Sequence, residues 1–264
     1  MIRSERILTF ERIPALHFVS TRMGGVSGGT NETLNLSDRT GDPPGHVREN
    51  RRRVSIDAGI DPATWTLGEQ VHGAAVAIVT AGQCGAGHTA GLPPISGVDA
   101  LVTAEPGICL CVLVADCVPV VLCDRALRAV AAIHAGRKGI ERNIIRKTID
   151  ILRSAFGIDP NELLAGVGPS IGACCYPVDR DVAEAFARSS RWPEGIIIEP
   201  PDDERCKLRL DLREAVRVQL TEAGVSRDSI ESIDLCTACH RDRFFSHRGD
   251  SGYTGRFGAG IVLP

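Results

Sequence analysis

Residues 98–136, VDALVTAEPGICLCVLVADCVPVVLCDRALRAVAAIHAG, contain three apolar runs that are rich in valine, isoleucine and cysteine. Turn-forming residues separate the runs. Short continuous apolar runs of this kind predict central strands of a sheet that is buried on both faces. Helical patterns flank the stretch, and no segment has the composition of a linker. We therefore predict an α+β fold, a single domain over residues 1–264, with mixed β-sheets in a sandwich-like core flanked by helices.

Periodicity outside this stretch predicts further helices and strands. A helix begins after the Pro43–Pro44 break, and a mobile glycine-rich loop occupies residues 82–97. After His134 the apolar spacing becomes helical, and this pattern runs from Ile140 to Phe156. The predicted elements are helices over 46–59, 179–189 and 212–223, and strands over 74–80, 164–167 and 230–235.

Composition limits the classes of protein to consider. The chain has 264 residues, 43% of them hydrophobic, and a net charge of −3, which suits a soluble globular protein with a sizeable core. It contains neither a run of about 18 apolar residues nor an N-terminal signal pattern, so we expect a cytoplasmic protein with no membrane partner. Its ten cysteines are then expected to be thiols.

The near-neutral charge also argues against a nucleic-acid partner. One basic cluster interrupts the balance, and its members fit either a solvated helix face or a phosphate-contacting role. They are Arg48, Arg51, Arg52 and Arg53.

Three residues with metal-binding side chains stand in separate apolar contexts: His72 in LGEQVHG, Cys117 in VLVADCVPVVL and His134 in AVAAIHAG. Two imidazoles and one thiolate suit zinc or copper, and three protein ligands leave a fourth position open. The gaps between the residues are too long for a zinc finger, whose ligands come in close pairs. We therefore expect the fold to bring the three residues together.

Several motifs along nearly the whole chain are similar to those of the YfiH-like proteins. They are STRMGGVS, LNLS, ENRRRV, LGEQVHG, VDALVT, ADCVPVVL, HAG, GVGPSIGACCYPV, DLREAV, CTAC and FFSHRGDSGYTGR. This family was historically labelled multicopper polyphenol oxidase or laccase-like, and is now associated with purine nucleoside phosphorylase and adenosine deaminase activity. The resemblance implies that His72, Cys117 and His134 bind the metal and act in catalysis. The chain departs from the family pattern at Arg137-Lys138, where Trp-Arg is usual, and at Gly249, where a basic residue is usual.

The oxidase label does not fit the histidine content. A multicopper oxidase needs many histidines, several of them in His-x-His pairs, to hold its copper centres. This chain has seven histidines and no His-x-His pair. A single copper ion could still bind at the three predicted ligands, but zinc is the expected cofactor because it suits hydrolytic chemistry in a reducing compartment.

The activities implied by the resemblance need different residues. Deamination of adenosine needs an activated water that attacks C6 of the purine, and Glu69 and Asp116 are candidates for moving protons. Phosphorolysis of adenosine, inosine, guanosine or methylthioadenosine needs cations and amides that hold phosphate. The candidate substrate-binding or phosphate-binding residues are Arg22, Asn35, Arg51, Gln70, Arg137 and Lys138.

Two other functions remain open. A Cys–His pair is also the constellation of a thiol nucleophile and its base, with Cys117 attacking and His134 accepting the proton. The family's fold has been grouped with CNF/YfiH-like cysteine hydrolases, and bacterial members have been linked to editing of peptidoglycan precursors. A non-catalytic nucleoside-binding protein is the third hypothesis.

Two further cysteine motifs have structural interpretations. Cys236, Cys239 and His240 match the haem-attachment pattern Cys-x-x-Cys-His, but an export signal is missing and haem is not expected. The adjacent Cys174 and Cys175 are expected to be buried packing residues in a tight loop beside the site.

Overall fold

The computed structural model describes residues 4–199 and 207–264. The helices in these residues are α1 (Pro44–Ala58), α2 (Arg137–Glu141), α3 (Ile144–Phe156), α4 (Arg180–Ser189) and α5 (Leu212–Glu222). The strands are β1 (Ile7–Leu8), β2 (Leu16–Ser20), β3 (Trp65–Leu67), β4 (Val76–Ile78), β5 (Ala100–Thr103), β6 (Cys109–Val114), β7 (Val118–Asp124), β8 (Val130–Ala135), β9 (Leu163–Val167), β10 (Pro177–Val178), β11 (Ile197–Ile198), β12 (Leu208–Leu210), β13 (Ile230–Ser232) and β14 (Phe257–Val262).

Two mixed sheets carry most of the fold. The larger has the strand order β13-β9-β7-β8-β5-β4, and the second has the order β1-β2-β14-β6-β3. In both sheets some neighbours are parallel and others antiparallel. A small third sheet has the order β10-β12-β11. The predicted combination of mixed sheets and flanking helices is confirmed.

The apolar side chains divide between layers according to the two-residue period of a strand. In β6, Leu110, Val112 and Val114 pack between the two large sheets, whereas Cys109 and Cys111 face the cluster that contains α1 residues. In β7 and β8, alternate residues join either the same inter-sheet core or the cluster formed with α3 and α5. The predicted strands of residues 98–136 are therefore buried on both faces.

The structure differs from the sequence predictions at several places. The helical pattern of residues 140–156 divides into α2 and α3, because Asn143 adopts a left-handed conformation with φ 58°. The strands predicted over 74–80 and 230–235 are shorter, at Val76–Ile78 and Ile230–Ser232. Cys174 is exposed and Cys175 is half-buried, so the prediction that this pair is buried is wrong.

Two strands at the centre of the second large sheet, β2 and β14, were not predicted. In the β14 sequence FGAGIV, glycines alternate with apolar residues, and glycine weakens the sequence signal of a strand. Gly260 pairs with Phe18 of β2, and a Cβ atom at Gly260 would lie 2.5 Å from the Phe18 ring. The glycine therefore makes room for an aromatic ring. In the described residues, no helix combines the length and the apolar character needed to cross a bilayer.

Substituting Gly166 tests the same kind of packing in the larger sheet. A Cβ atom there would lie 2.4 Å from the Phe10 ring, so we expect Gly166→Ala to lower the free energy of unfolding by about 1–3 kcal/mol in urea titrations. Gly45→Ala is the control, because Gly45 lies in α1 with open space around its Cα atom. Adding Phe10→Leu to Gly166→Ala should recover part of the loss. Equal stabilities for the two alanine variants would contradict this packing.

Candidate metal centre and active-site cavity

The structure brings His72, Cys117 and His134 together. Their ligand atoms all lie within 4.8 Å of one another, and the two imidazole rings meet edge to face with centroids 4.8 Å apart. His72 is exposed in the segment that follows β3, Cys117 is half-buried between β6 and β7, and His134 is buried in β8. The three residues are separated by 45 and 17 positions in the sequence, and the fold brings them into one cluster, as the sequence analysis predicted.

Strand register places two of these residues next to each other. β7 and β8 are antiparallel, with Val118 opposite Ala135 and Pro119 opposite His134. Cys117 immediately precedes this ladder and Gly136 immediately follows it. A Cβ atom at Gly136 would lie 3.1 Å from Cys117 Sγ and 3.1 Å from His72 Cδ2. Glycine at 136 therefore leaves the space in which the thiol and the imidazoles meet.

Asp99 orients both histidines. Its Oδ1 atom lies 2.7 Å from His134 Nδ1, so the other ring nitrogen, Nε2, is the one left to serve as a ligand. The same carboxylate accepts hydrogen bonds from the backbone N–H groups of Val71, His72 and Gly73 at 3.3, 3.0 and 2.7 Å. These bonds hold a turn in which His72 has a positive φ of 58°. One carboxylate thus fixes the ring of His134 and the backbone of His72.

Charge interactions in the cluster favour a thiolate beside an imidazolium when no metal is bound. Burial alone would raise the pKa of Cys117, but the charge of His134 and hydrogen bonds from both histidines lower it to about 6. Burial alone would lower the pKa of His134, but Cys117 and Asp99 raise it to about 9. Between these values both groups are charged. A metal ion must displace the His134 proton, so its affinity should increase with pH.

The cluster fits a metal ion in its chemistry and its size. A zinc ion with bonds of about 2.0–2.3 Å separates its tetrahedral ligands by about 3.5 Å, which small side-chain movements would reach from the observed spacing. The Asp99–His134 hydrogen bond is the usual support for a histidine ligand. Three protein ligands also leave one position that substrate or water can reach.

The cluster lies in a cavity of about 710 Å³. Gly68, Gln70 and Val71 line it beside His72, and Asp116 lines it beside Cys117. Several cationic side chains share the same cavity: Arg39, Arg51, Arg137, Lys138, Arg248 and Arg256. The volume is within the range of small-molecule sites, and the cations make the cavity suitable for an anionic ligand.

Four of the six predicted substrate-binding or phosphate-binding residues line this cavity. Arg137 pairs with Glu141 one helical turn away, and Lys138 is exposed beside it. The Gln70 side-chain amide makes two hydrogen bonds with the backbone of Leu113. Its oxygen accepts from the Leu113 N–H at 2.8 Å, and its nitrogen donates to the Leu113 carbonyl at 2.6 Å. Arg51 is buried and donates to the carbonyls of Leu36 and Gly87.

Arg22 and Asn35 lie outside the residues that line the cavity. Arg22 donates to the carbonyl oxygens of Glu32 and Arg241 and lies 4.5 Å above the ring of Phe245. Asn35 is fully buried, and its amide nitrogen donates to Ser37, Thr40 and Asp42. Both side chains therefore make structural contacts.

In the basic cluster of Arg48, Arg51, Arg52 and Arg53, Arg52 and Arg53 pair with Glu49 of the same helix.

The Asp116 carboxylate holds the cavity wall together by hydrogen bonds. Its Oδ1 atom accepts hydrogen bonds from the hydroxyls of Thr237 and Ser246 at 2.6 and 2.7 Å. Its Oδ2 atom accepts a hydrogen bond of 2.6 Å from the backbone N–H of Arg248. Asp116 itself has φ 86°, which turns the chain immediately before Cys117. Glu69, the other proton-transfer candidate, instead contacts Ser96 and Arg39.

Several residues of the site were not singled out from the sequence. Asp99 and Gly136 stand in the motifs VDALVT and HAG, and their position directly beside buried strands was the available signal. Tyr176, Arg248 and Arg256 come from distant loops that local periodicity does not relate to Cys117. Arg248 lies 5.3 Å above the Tyr176 ring and donates to the Pro177 carbonyl at 3.1 Å.

The fold and the site define a class of mixed α/β protein in which two sheets present a His-Cys-His cluster to a cationic cavity. The chain belongs to the family described as multi-copper polyphenol oxidoreductase laccase, whose sequence model matches residues 16–264. This is the family of the YfiH-named proteins.

Named relatives and solved structures cover almost the whole chain. A "Purine nucleoside phosphorylase" of Bacteroides thetaiotaomicron is 34% identical over 99% of this chain and 97% of the relative. "Purine nucleoside phosphorylase YfiH" of Escherichia coli K12 is 36% identical over 92% of each chain. The crystal structure of the hypothetical protein YfiH from Bacillus licheniformis matches with a TM-score of 0.93 and 31% identity, over 99% of this chain and 97% of that one.

The thiolate character of Cys117 can be measured in metal-free protein. We expect its alkylation rate, followed by mass spectrometry of its peptide, to reach half its maximum near pH 6, because the pKa of Cys117 is about 6. In His134→Ala the midpoint should move towards about 8.5, the ordinary value for cysteine. Cys84 is the internal control, because burial raises its pKa. An unchanged midpoint in the variant would show that His134 does not stabilise the thiolate.

Proposed function

We propose that this protein is a metal-dependent purine nucleoside phosphorylase with adenosine deaminase activity, and that His72, Cys117 and His134 form its metal-binding catalytic site. The observation that carries the proposal is the position of this cluster within a cavity of about 710 Å³ that is lined by cationic side chains. The names of the relatives support the same activity. The substrates would be a purine nucleoside and phosphate, and we place the enzyme in the cytoplasm.

Zinc is the proposed metal, with copper as a competitor for the same ligands. A zinc ion held by His72, Cys117 and His134 would lower the pKa of water at the site towards 7 and would so supply a nucleophile for hydrolytic deamination. Asp99 supports this role by holding His134 in the orientation that leaves Nε2 free to bind. Multicopper oxidation is not proposed, because seven histidines without a His-x-His pair do not suit its copper centres.

In phosphorolysis a phosphate oxygen bonds to C1′ of the ribose while the bond from C1′ to the purine nitrogen breaks. The electron pair leaves with the base, which takes up a proton, and the products are the free base and ribose 1-phosphate. Lys138, Arg137 and Arg248 line the cavity and can hold phosphate beneath the sugar by charge-assisted hydrogen bonds. Burial raises the pKa of Tyr176, so its hydroxyl stays protonated and can donate a hydrogen bond to substrate.

In deamination the oxygen of water bonds to C6 of adenosine, and the exocyclic C6–N6 bond then breaks as the amine takes up a proton, which releases ammonia and leaves inosine. The reaction consumes one water molecule and needs no phosphate. The protein must therefore supply a nucleophile near the cluster of His72, Cys117 and His134, and it must bind the purine ring next to this cluster. The two activities can be separated by their dependence on phosphate.

A second candidate function is that of a cysteine hydrolase, with Cys117 as the nucleophile and His134 as its base, acting in the editing of peptidoglycan precursors. The observation that favours it is the Cys117–His134–Asp99 arrangement, in which a thiolate lies beside an imidazolium that a carboxylate orients. This is the order of roles in thiol hydrolases. In that case the Cys117 thiolate would bond to a carbonyl carbon, the leaving group would depart with the His134 proton, and water would hydrolyse the resulting thioester and restore the thiol. A bound metal would block the reaction. A non-catalytic nucleoside-binding protein would retain the cavity without turnover.

Product analysis separates these functions. With zinc-loaded protein and adenosine, we expect adenine and ribose 1-phosphate only when phosphate is present, and inosine with or without phosphate. Both activities should fall at least about 100-fold in Cys117→Ser, because the substitution removes a metal ligand. Cys84→Ser, outside the cluster, is the matched control. Folded, zinc-loaded protein that forms no product would contradict the proposed function and favour a cysteine hydrolase or a nucleoside-binding protein.

The phosphate contacts can be tested at Lys138 and Arg248, which are exposed and whose removal should leave the core intact. We expect Lys138→Ala and Arg248→Ala each to raise the KM for phosphate about tenfold, the effect of losing one charge-assisted hydrogen bond. Inosine formation in phosphate-free buffer should stay near the wild-type rate. Arg52→Ala is the control, because Arg52 pairs with Glu49 away from the cavity. An unaltered phosphate KM in both cavity variants would place phosphate elsewhere.

A further inference from the structure

Four cysteines that the proposed function does not use meet near the surface of the protein, where Cys174 and Cys239 are exposed, Cys175 is half-buried and Cys236 is buried. Cys174 and Cys175 lie in the turn that follows β9, and Cys236 and Cys239 lie in the segment that follows β13. β9 and β13 are parallel neighbours, and an isolated bridge between Ser170 and Cys236 extends their pairing beyond the strands. The two cysteine pairs are therefore brought together by adjacent strand ends, although about 60 residues separate them.

The four thiols have the spacing of a single tetrahedral metal site. All four Sγ atoms lie within 4.8 Å of one another, and Cys239 Sγ is 3.4 Å from Cys175 Sγ and 3.7 Å from Cys174 Sγ. A zinc ion with four Zn–S bonds of about 2.3 Å places its sulfur atoms about 3.8 Å apart. The two separations from Cys239 are close to this value, and both are far from the S–S distance of about 2.05 Å in a disulfide.

One backbone amide also donates a hydrogen bond to a thiol of this group. The Gly172 N–H donates to Cys236 Sγ at 3.2 Å. A Cβ atom at Gly172 would lie 3.2 Å from Cys174 Sγ and 3.5 Å from the Arg213 guanidinium. The Gly172 amide thus lies beside a group that would carry a charge of −2 with zinc bound, and the absence of a side chain at Gly172 leaves room for Cys174. A disulfide at Cys239 would involve only one of the other three cysteines, and it would not account for the proximity of the remaining two thiols.

We propose that Cys174, Cys175, Cys236 and Cys239 bind a second zinc ion through four thiolates. The site has no open coordination position, which is the form of a structural zinc site rather than a catalytic one. It is separate from the cluster of His72, Cys117 and His134, which supplies two nitrogen ligands and one sulfur ligand.

The position of this second site gives it a structural role. The chain around Cys174 contributes the Ile171 N–H to the Asp116 carbonyl, and the chain around Cys236 contributes the Thr237 hydroxyl to the Asp116 carboxylate. Ile171 and Tyr176 also line the cavity. A zinc ion joining the two segments would hold the wall of the cavity from the outside.

Metal analysis with cobalt as a spectroscopic probe tests the site without reference to activity. The background is full-length Cys117→Ala, in which the His-Cys-His cluster has lost its thiolate. After removal of resident metal, titration with cobalt(II) should give one tightly bound equivalent with the intense sulfur-to-cobalt charge-transfer and red d–d bands of tetrahedral tetrathiolate coordination. Zinc should displace the cobalt stoichiometrically and abolish these bands.

Cys174→Ser and Cys239→Ser, each added to this background, should lose the tetrathiolate spectrum. Both cysteines are exposed, so the variants should remain folded, as circular dichroism can verify. Cys84→Ser is the control and should retain the full spectrum. In protein purified without chelators, wild type should carry one more zinc per chain than Cys174→Ser. No such difference, a spectrum of fewer than four thiolates, or a disulfide between these cysteines in freshly purified protein would overturn the proposal.

Discussion

The hydrogen bonds of the Asp99 carboxylate are the constraint on which the rest of the site depends. They join the buried ring of His134 to the backbone of the turn that carries His72. Without this acceptor, three backbone N–H groups would lose their partner and the His134 ring could rotate away from Cys117. Because Asp99 immediately precedes β5, which pairs with β8, the carboxylate is placed by the same sheet that places His134. The ligand geometry is therefore a consequence of strand pairing.

Strand alternation explains why the cluster opens towards the space between the two large sheets. Val130 and Ala132 of β8 belong to the inter-sheet core, and His134 follows them at the same two-residue period. Val121 and Cys123 of β7 belong to that core too, and Cys117 has the same parity. A register slip of one residue in either strand would turn its ligand towards the helical layer. The apolar residues that specify register thus also specify the position of the metal ligands.

The sequence predicted the buried strands of residues 98–136 and the three clustered side chains, because apolar runs and metal-ligand types are local signals. It did not predict β14, in which Gly258 and Gly260 dilute the apolar pattern and Gly260 accommodates Phe18. The roles of Asp99 and Gly136 depend on a turn and a ladder that join distant parts of the chain. Similarly, Arg22 has the type of side chain that binds phosphate, but its guanidinium already donates hydrogen bonds to backbone carbonyls. Local chemistry identifies candidate groups, whereas tertiary hydrogen bonds determine which of them reach the cavity.

The two sulfur-containing clusters differ in a way that matches different tasks. At Cys117, a single thiolate shares its site with two imidazoles in a cavity large enough for a small molecule. At Cys174, Cys175, Cys236 and Cys239, four thiols lie within 4.8 Å of one another, which suits a closed site. Asp116 connects the two regions, since it precedes Cys117 in the chain and accepts hydrogen bonds from the Thr237 hydroxyl and from the backbone N–H of Arg248. Movement of either cysteine-bearing loop would therefore reach Cys117 through Asp116, so an ordered outer cluster and a correctly placed inner thiolate depend on the same buried carboxylate.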